Sequence, residues 1–179
     1  MAEAILRGAE NSEDFVDRQF STFFIAGLFF GIPVLKVQEV LRYQEMTRVP
    51  LAPDVIEGLI NLRGQIVTAV DMRRRLNLPP RAEGETPMNM VVRTSEGAVS
   101  LLVDEIGDVL EVDPASFEQP PENLTPEARE LIRGVYKLKD RLLLVLDTER
   151  TVDLAAGITG TTGEDFDVTS RACRSVPAR

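Results

Sequence analysis

Gly58-Leu-Ile-Asn-Leu-Arg-Gly-Gln-Ile-Val-Thr-Ala-Val-Asp71 lies without a gap over Gly134-Val-Tyr-Lys-Leu-Lys-Asp-Arg-Leu-Leu-Leu-Val-Leu-Asp147. Each stretch opens on a glycine, places Leu62 on Leu138, and closes on an aspartate after an apolar run. Past the aspartates, Arg74 meets Arg150 and Leu78 meets Leu154. Two apolar runs around a short polar break are the pattern of a hairpin. An aspartate directly after the second run stands where an N-cap opens a helix, here the basic segment Met72 to Leu76.

Working outward, the match extends upstream. Val37-Gln-Glu-Val-Leu41 is similar to Ile106-Gly-Asp-Val-Leu110, with a longer connection following the second. Before them stand two further hairpin patterns. One is Phe20 to Ala26 with Leu28 to Pro33, divided at Gly27; the other is Met88 to Arg93 with Ala98 to Val103, around Ser95-Glu96-Gly97. The chain therefore reads as a duplicated unit of about five short strands and one closing helix. Short antiparallel strands on this scale curl into small barrels, which leave few edges exposed. The predicted class is mainly β, with two related barrel halves.

Some segments are less regular. Val34 to Tyr43 fits either a helical turn or a strand. Asp54 to Glu57 is expected to form one helical turn after Pro53. Pro114 to Pro126 is a polar connection, and Thr125-Pro126-Glu127 has a capping threonine and a first-position proline. Residues 1–19 read as a flexible lead-in and 156–179 as a disordered tail, leaving 20–155 as the folded domain.

Composition narrows the chemistry. The formal charge of −9 is opposite to what phosphate binding requires and argues against nucleic acid as a partner. No apolar run approaches the ~20 residues of a spanning helix, and the acidic start is unlike a secretory signal, so a cytoplasmic protein without membrane insertion is expected. Histidine is absent, which removes the commonest general base and the commonest transition-metal ligand. Cys173 is the single cysteine, so no intramolecular disulfide and no ordinary zinc site is expected. Gly27, Gly31, Gly58 and Gly64 stand isolated and form no phosphate loop. The expectation is a protein without catalysis, metal or cofactor.

The stretch from Gly58 through Asn61-Leu62-Arg63-Gly64 to Asp71-Met72-Arg73 resembles the signature of the CheW family of bacterial chemotaxis coupling proteins. Val37-Gln38-Glu39-Val40 is similar to that family's other marked segment, and the order of motifs agrees from Phe20 to Ala155. Thr68 stands where the family has proline, and Met72 where it has leucine. The resemblance implies two SH3-like five-stranded β-barrel subdomains with short helices. It further implies an adaptor that couples chemoreceptor tips to the histidine kinase CheA, through the kinase's regulatory domain. Barrel-to-barrel contacts with CheA can then close into a ring assembly. The receptor's helical hairpin would lie in an apolar groove between the halves. Location follows: cytoplasmic, recruited to membrane receptor arrays.

Arg63, at a turn between strands, has a guanidinium suited to pairing with a carboxylate; the resemblance names Glu39 as its partner, near the receptor-binding surface. Asn61 is expected to fix the Arg63-Gly64 turn with its side chain. Gly58 and Gly64 are expected to be backbone necessities, with Gly58 also a point of close approach. The matched segments carry over Val37 and Leu102 as candidates for the apolar groove, with plain core as the alternative for either. Asp71 and Asp147 read as helix caps, and Arg73-Arg74-Arg75 as a solvated face or a surface that meets an acidic partner. Two other functions compete with this reading. One is a CheW-like scaffold of a non-flagellar chemosensory pathway. The other is a hydrolase using Asp104 and Glu105, disfavoured because adjacent residues on a strand point to opposite faces.

Overall fold

The computed structural model describes residues 18–153. The expectations for residues 1–17 and 156–179, and Cys173, lie outside the described residues. The lead-in is shorter than the expected 1–19, because Gln19 opens the first strand and Arg18 O accepts from Val112 N–H at 2.9 Å. Chain order begins with β1 (Gln19–Ile25) and β2 (Leu28–Pro33), then a 3-10 turn (Val34–Lys36) and β3 (Val37–Leu41). The hairpin β4 (Ile56–Leu62) and β5 (Gln65–Asp71) leads into α1 (Met72–Arg75). The second half repeats this order: β6 (Met88–Thr94), β7 (Gly97–Val103), β8 (Glu105–Glu111), a short β9 (Phe117–Glu118), and α2 (Pro126–Leu131). It closes with β10 (Ile132–Lys137), β11 (Leu142–Leu146) and α3 (Thr148–Val152). The segment with two readings thus contains both, a 3-10 turn and then a strand. Asp54 to Glu57 forms no helix; Ile56 N–H bonds Pro53 O at 2.8 Å and β4 begins there.

The fold is mainly β with two subdomains, as expected, but each half of the sequence does not close on itself. The first sheet has six strands in the order β8-β1-β2-β11-β10-β9, and the second has five in the order β3-β6-β7-β5-β4. In repeat terms the two orders are the same. Each sheet takes its central hairpin from one half of the chain and its flanking strands from the other. The halves meet in each sheet on both sides of the central hairpin, at the parallel pairings β11 with β2 and β5 with β7 and at the antiparallel pairings β1 with β8 and β3 with β6. The halves are interlocked, a consequence that pattern along the chain does not reveal.

Both sheets curl shut. In the second, the segment that follows edge strand β3 reaches the opposite edge strand β4 through the antiparallel bridge of Thr47 to Leu59, and Leu41 packs on the cluster of Ile60, Val67 and Val91. In the first, β9 crosses to pair with β10 through Glu118 and Val135, around the cluster of Phe20, Val112, Leu143 and Val145. The repeat glycines sit at these crossings. A Cβ on Gly58 would come within 2.7 Å of Thr47 O, and one on Gly134 within 2.8 Å of Glu118 O. Both glycines also follow a bulge, where the hairpin register shifts between Ile56 and Gly58 and between Ile132 and Gly134.

A third and larger cluster lies between the sheets. Phe23, Ile25, Phe30 and Ile32 of the first hairpin pack there against Val70, Met90, Leu101 and Val103 of the second sheet. Alternation along β7 divides its side chains. Val99, Leu101 and Val103 face this shared core, while Ala98, Ser100 and Leu102 face the interior of their own barrel.

Candidate partner-binding site

The β4–β5 turn is two residues long, between Leu62 and Gln65, with φ of +53° at Arg63 and +88° at Gly64. Positive φ at both positions is the type I′ geometry that matches strand twist. Asn61 Oδ1 accepts from Gly64 N–H at 2.9 Å, so the asparagine fixes the turn as its position predicts. The turn projects Arg63, whose side chain is 84% exposed, to Glu39 Oε1 at 2.6 Å, and Glu39 is 21% exposed. One partner is thus held on a strand, and the other keeps most of its donors free for a second acceptor.

Directly after this turn, Gln65 and Ile66 begin one wall of an open groove of about 740 Å³ between the subdomains. Apolar surface comes from Ile56, Ile66, Val70, Val99 and Val152, and a polar end from Ser95 and Glu149. Ile66 is 61% exposed, an apolar side chain that the described residues leave uncovered. Val37, half-buried, reaches the core between the sheets from the edge strand β3.

Leu102 does not line this groove: it is 1% exposed and points into its own barrel, and Val99 takes the groove position instead. The signal that selects Val99 is strand parity, which becomes usable only once it is known which face of β7 looks at the other sheet. Gly58 is buried, and the chain that approaches it closely is Thr47 of this protein.

The three arginines of α1 are engaged, not a solvated face. Arg73 binds Asp104, with Nη2 to Oδ2 at 2.7 Å, and Arg74 pairs with Glu57 at 2.9 Å. Arg75 donates to Thr151 O at 3.1 Å and Arg150 O at 3.0 Å, carbonyls of α3 in the other subdomain. Arg81 joins Asp71 at 2.7 Å to Asp104 at 2.9 Å. Burial opposes ionisation of Asp104, but hydrogen bonds from Arg73 and from Ala26 N–H outweigh it and hold its carboxyl below the usual range. That carboxylate is committed to the fold, so with Glu105 it offers no pair for acid–base chemistry. Asp71 and Asp147 cap their helices as expected, Asp71 accepting from Arg73 and Arg74 N–H and Asp147 from Arg150 N–H. Among the described residues no group of histidine, cysteine or carboxylate side chains could hold a metal ion, and no helix is long and apolar enough to cross a membrane.

Comparison with known proteins agrees with this geometry. The family model described as CheW-like domain matches residues 19–156. A chemotaxis protein CheW of Klebsiella aerogenes is 32% identical over 135 residues, covering 75% of this chain and 81% of that protein. Its counterpart in Bacillus subtilis is 31% identical over 131 residues, covering 73% and 84%. Among solved structures, the scaffolding protein TtCheW from Thermoanaerobacter tengcongensis superposes with a TM-score of 0.70 at 25% identity, covering 77% of this chain and 94% of that one.

Proposed function

The chain belongs to the CheW family of chemotaxis adaptors, and on that premise we propose that it couples chemoreceptor tips to the histidine kinase CheA without catalysing a reaction. The observation that carries the reading is the juxtaposition of the groove between the barrels with the Arg63–Glu39 corner. The groove presents uncovered apolar side chains in a channel, the form that accepts an amphipathic helix. Arg63, mostly exposed beside its entrance, adds a charge-assisted contact that fixes the helix in register.

Two barrels with one closure plan give two platforms, so receptor and kinase are held at once. The regulatory domain of CheA is the proposed partner for a barrel face, and alternating contacts of that kind can close into rings. Recruitment to membrane arrays then follows from receptor binding. The test is co-purification of the full chain with a CheA regulatory domain and a receptor cytoplasmic fragment from the same cell. Arg63→Ala is expected to stay folded and to lose receptor or kinase; unchanged recovery of both would remove Arg63 from the site. A scaffold of a non-flagellar pathway would use the same surfaces, and the identity of the captured kinase distinguishes it.

A further inference from the structure

The duplication superposes more than strands. With Val37 placed on Ile106 and Gly58 on Gly134, the turn residue Ala26 falls on Ser95, and Arg73, second in α1, falls on Glu149, second in α3. Each of these pairs takes part in a clasp between the subdomains. In one clasp, Asp104 from the β7–β8 join accepts from Ala26 N–H at 2.6 Å and is gripped by Arg73 of α1. In the other, Glu149 of α3 accepts from Ser95 N–H at 3.0 Å and from its hydroxyl at 2.8 Å, and Lys36 from the β2–β3 join completes it at 3.1 Å. The parts correspond while the charges are reversed: the helix supplies the cation in one and the anion in the other.

Their surroundings differ. Arg73 and Asp104 are 14% and 19% exposed, and Arg81 adds a second guanidinium that ties Asp104 to the Asp71 cap. Lys36 and Glu149 are 43% and 41% exposed and have no such backing. The groove opens on the side of the exposed clasp, with Ser95 and Glu149 in its lining. The interface between the barrels is therefore pinned by the Arg73–Asp104–Arg81 cluster along one side and by Arg75 on the carbonyls at the end of α3, while on the groove side the Glu149 carboxylate is the latch.

The geometry points to a one-sided hinge in which the Lys36–Glu149–Ser95 clasp sets the width of the groove, with Glu149 as the positioning residue for the docked helix. This rests on the reading that the groove receives a helix. An exposed ion pair contributes little to global stability, so releasing it leaves the fold intact. What it changes is the fraction of molecules whose groove has the binding width, and apparent affinity falls in proportion to that fraction.

The test uses the full chain carrying Cys173→Ser, with spin labels at Arg93→Cys in the second sheet and Arg133→Cys in the first. Glu149→Ala is expected to broaden and lengthen the interspin distance distribution measured by double electron–electron resonance. It should also weaken binding of a receptor-tip helical hairpin by about tenfold, the effect of leaving roughly a tenth of molecules competent. Glu149→Gln, which keeps an acceptor for Ser95 but loses the charge, should fall between. Lys137→Met, which breaks the exposed Lys137–Glu118 pair elsewhere, should change neither quantity. An unchanged distance distribution in Glu149→Ala would overturn the hinge whether or not the hairpin binds. A broadened distribution with unchanged affinity would overturn the positioning role. If the unmutated chain fails to bind the hairpin, the docking reading fails, and the distances still decide the hinge.

Discussion

Glu39 and Arg63 stand at opposite edges of one five-stranded sheet, yet their side chains meet at 2.6 Å. That contact exists because the sheet closes on itself, bringing edge strand β3 beside the β4–β5 turn. At the corresponding corner of the other barrel, Asp108 and Lys139 occupy the matched positions and form no ion pair among the described residues. There the longer turn between Lys137 and Leu142 carries Arg141 over the ring of Phe29, 5.0 Å from its centre. The repeated frame thus presents two differently equipped corners.

Arg63→Ala separates stability from binding. The arginine is 84% exposed, and pairs of this kind contribute about 0–1 kcal/mol. Alanine in place of arginine leaves a side chain at positive φ, so the turn is strained to a similar degree. The urea midpoint should move little, while calorimetric titration with a receptor hairpin should show clear weakening. A large drop in midpoint would mean that the pair is structural.

Gly58→Ala and Gly134→Ala should both destabilise, by about 1–3 kcal/mol as overpacking does. In each case the obstruction includes a backbone carbonyl, Thr47 O or Glu118 O, which no rotamer change can move. Gly134 additionally lies against the Phe117 ring. Urea denaturation reads the effect, and Gly134→Ala paired with Phe117→Ala shows how much of it the ring contributes.

These glycines illustrate how much was legible in advance. The gap-free match of Gly58 with Gly134 was visible in the residues, and with it two barrels, the two Asp caps and the Asn61 turn. The chain that crosses each glycine was not visible, because Thr47 and Glu118 lie in irregular segments that carry no periodic signal. The exchange of hairpins was hidden for a related reason: apolar alternation reports that a face is buried, never which sheet buries it. The choice between groove and core for Leu102 stays open in the sequence on that account, its parity on β7 being unassignable until the second sheet is known; the structure buries it. The arginines of α1 were misread because their acceptors, among them Asp104 and the carbonyls of α3, are distant along the chain.

Asp104→Ala should cost more than an ordinary surface substitution, about 2–3 kcal/mol, between the ~0–1 kcal/mol of an exposed pair and the ~3–5 kcal/mol of a fully buried one, because the network is only partly buried. It leaves Arg73 and Arg81 facing one another with no carboxylate between them, and Ala26 N–H without its acceptor. Thermal denaturation measures the loss; a change below about 1 kcal/mol would place this network among ordinary surface pairs.

The exposed clasp also makes a pH prediction. Ser95 N–H, the Ser95 hydroxyl and Lys36 lower the Glu149 carboxyl from its ordinary 4.5 to about 2. A carboxyl whose folded value is depressed stabilises above its unfolded value and loses that contribution as pH falls through the folded one. The melting-temperature difference between the unmutated chain and Glu149→Gln should therefore be constant above pH 4.5 and shrink toward pH 2. A difference independent of pH over that interval would show that the charge of Glu149 is not what the clasp uses.

The most direct measurement of the coupling role is a single size-exclusion experiment with three components: this chain, a CheA regulatory domain and a receptor cytoplasmic fragment. The coupling role predicts one complex containing all three, which Arg63→Ala depletes of receptor or kinase while the chain itself elutes as a folded protein. Mutual displacement of receptor fragment and kinase domain from the chain, or binding of neither, would contradict it.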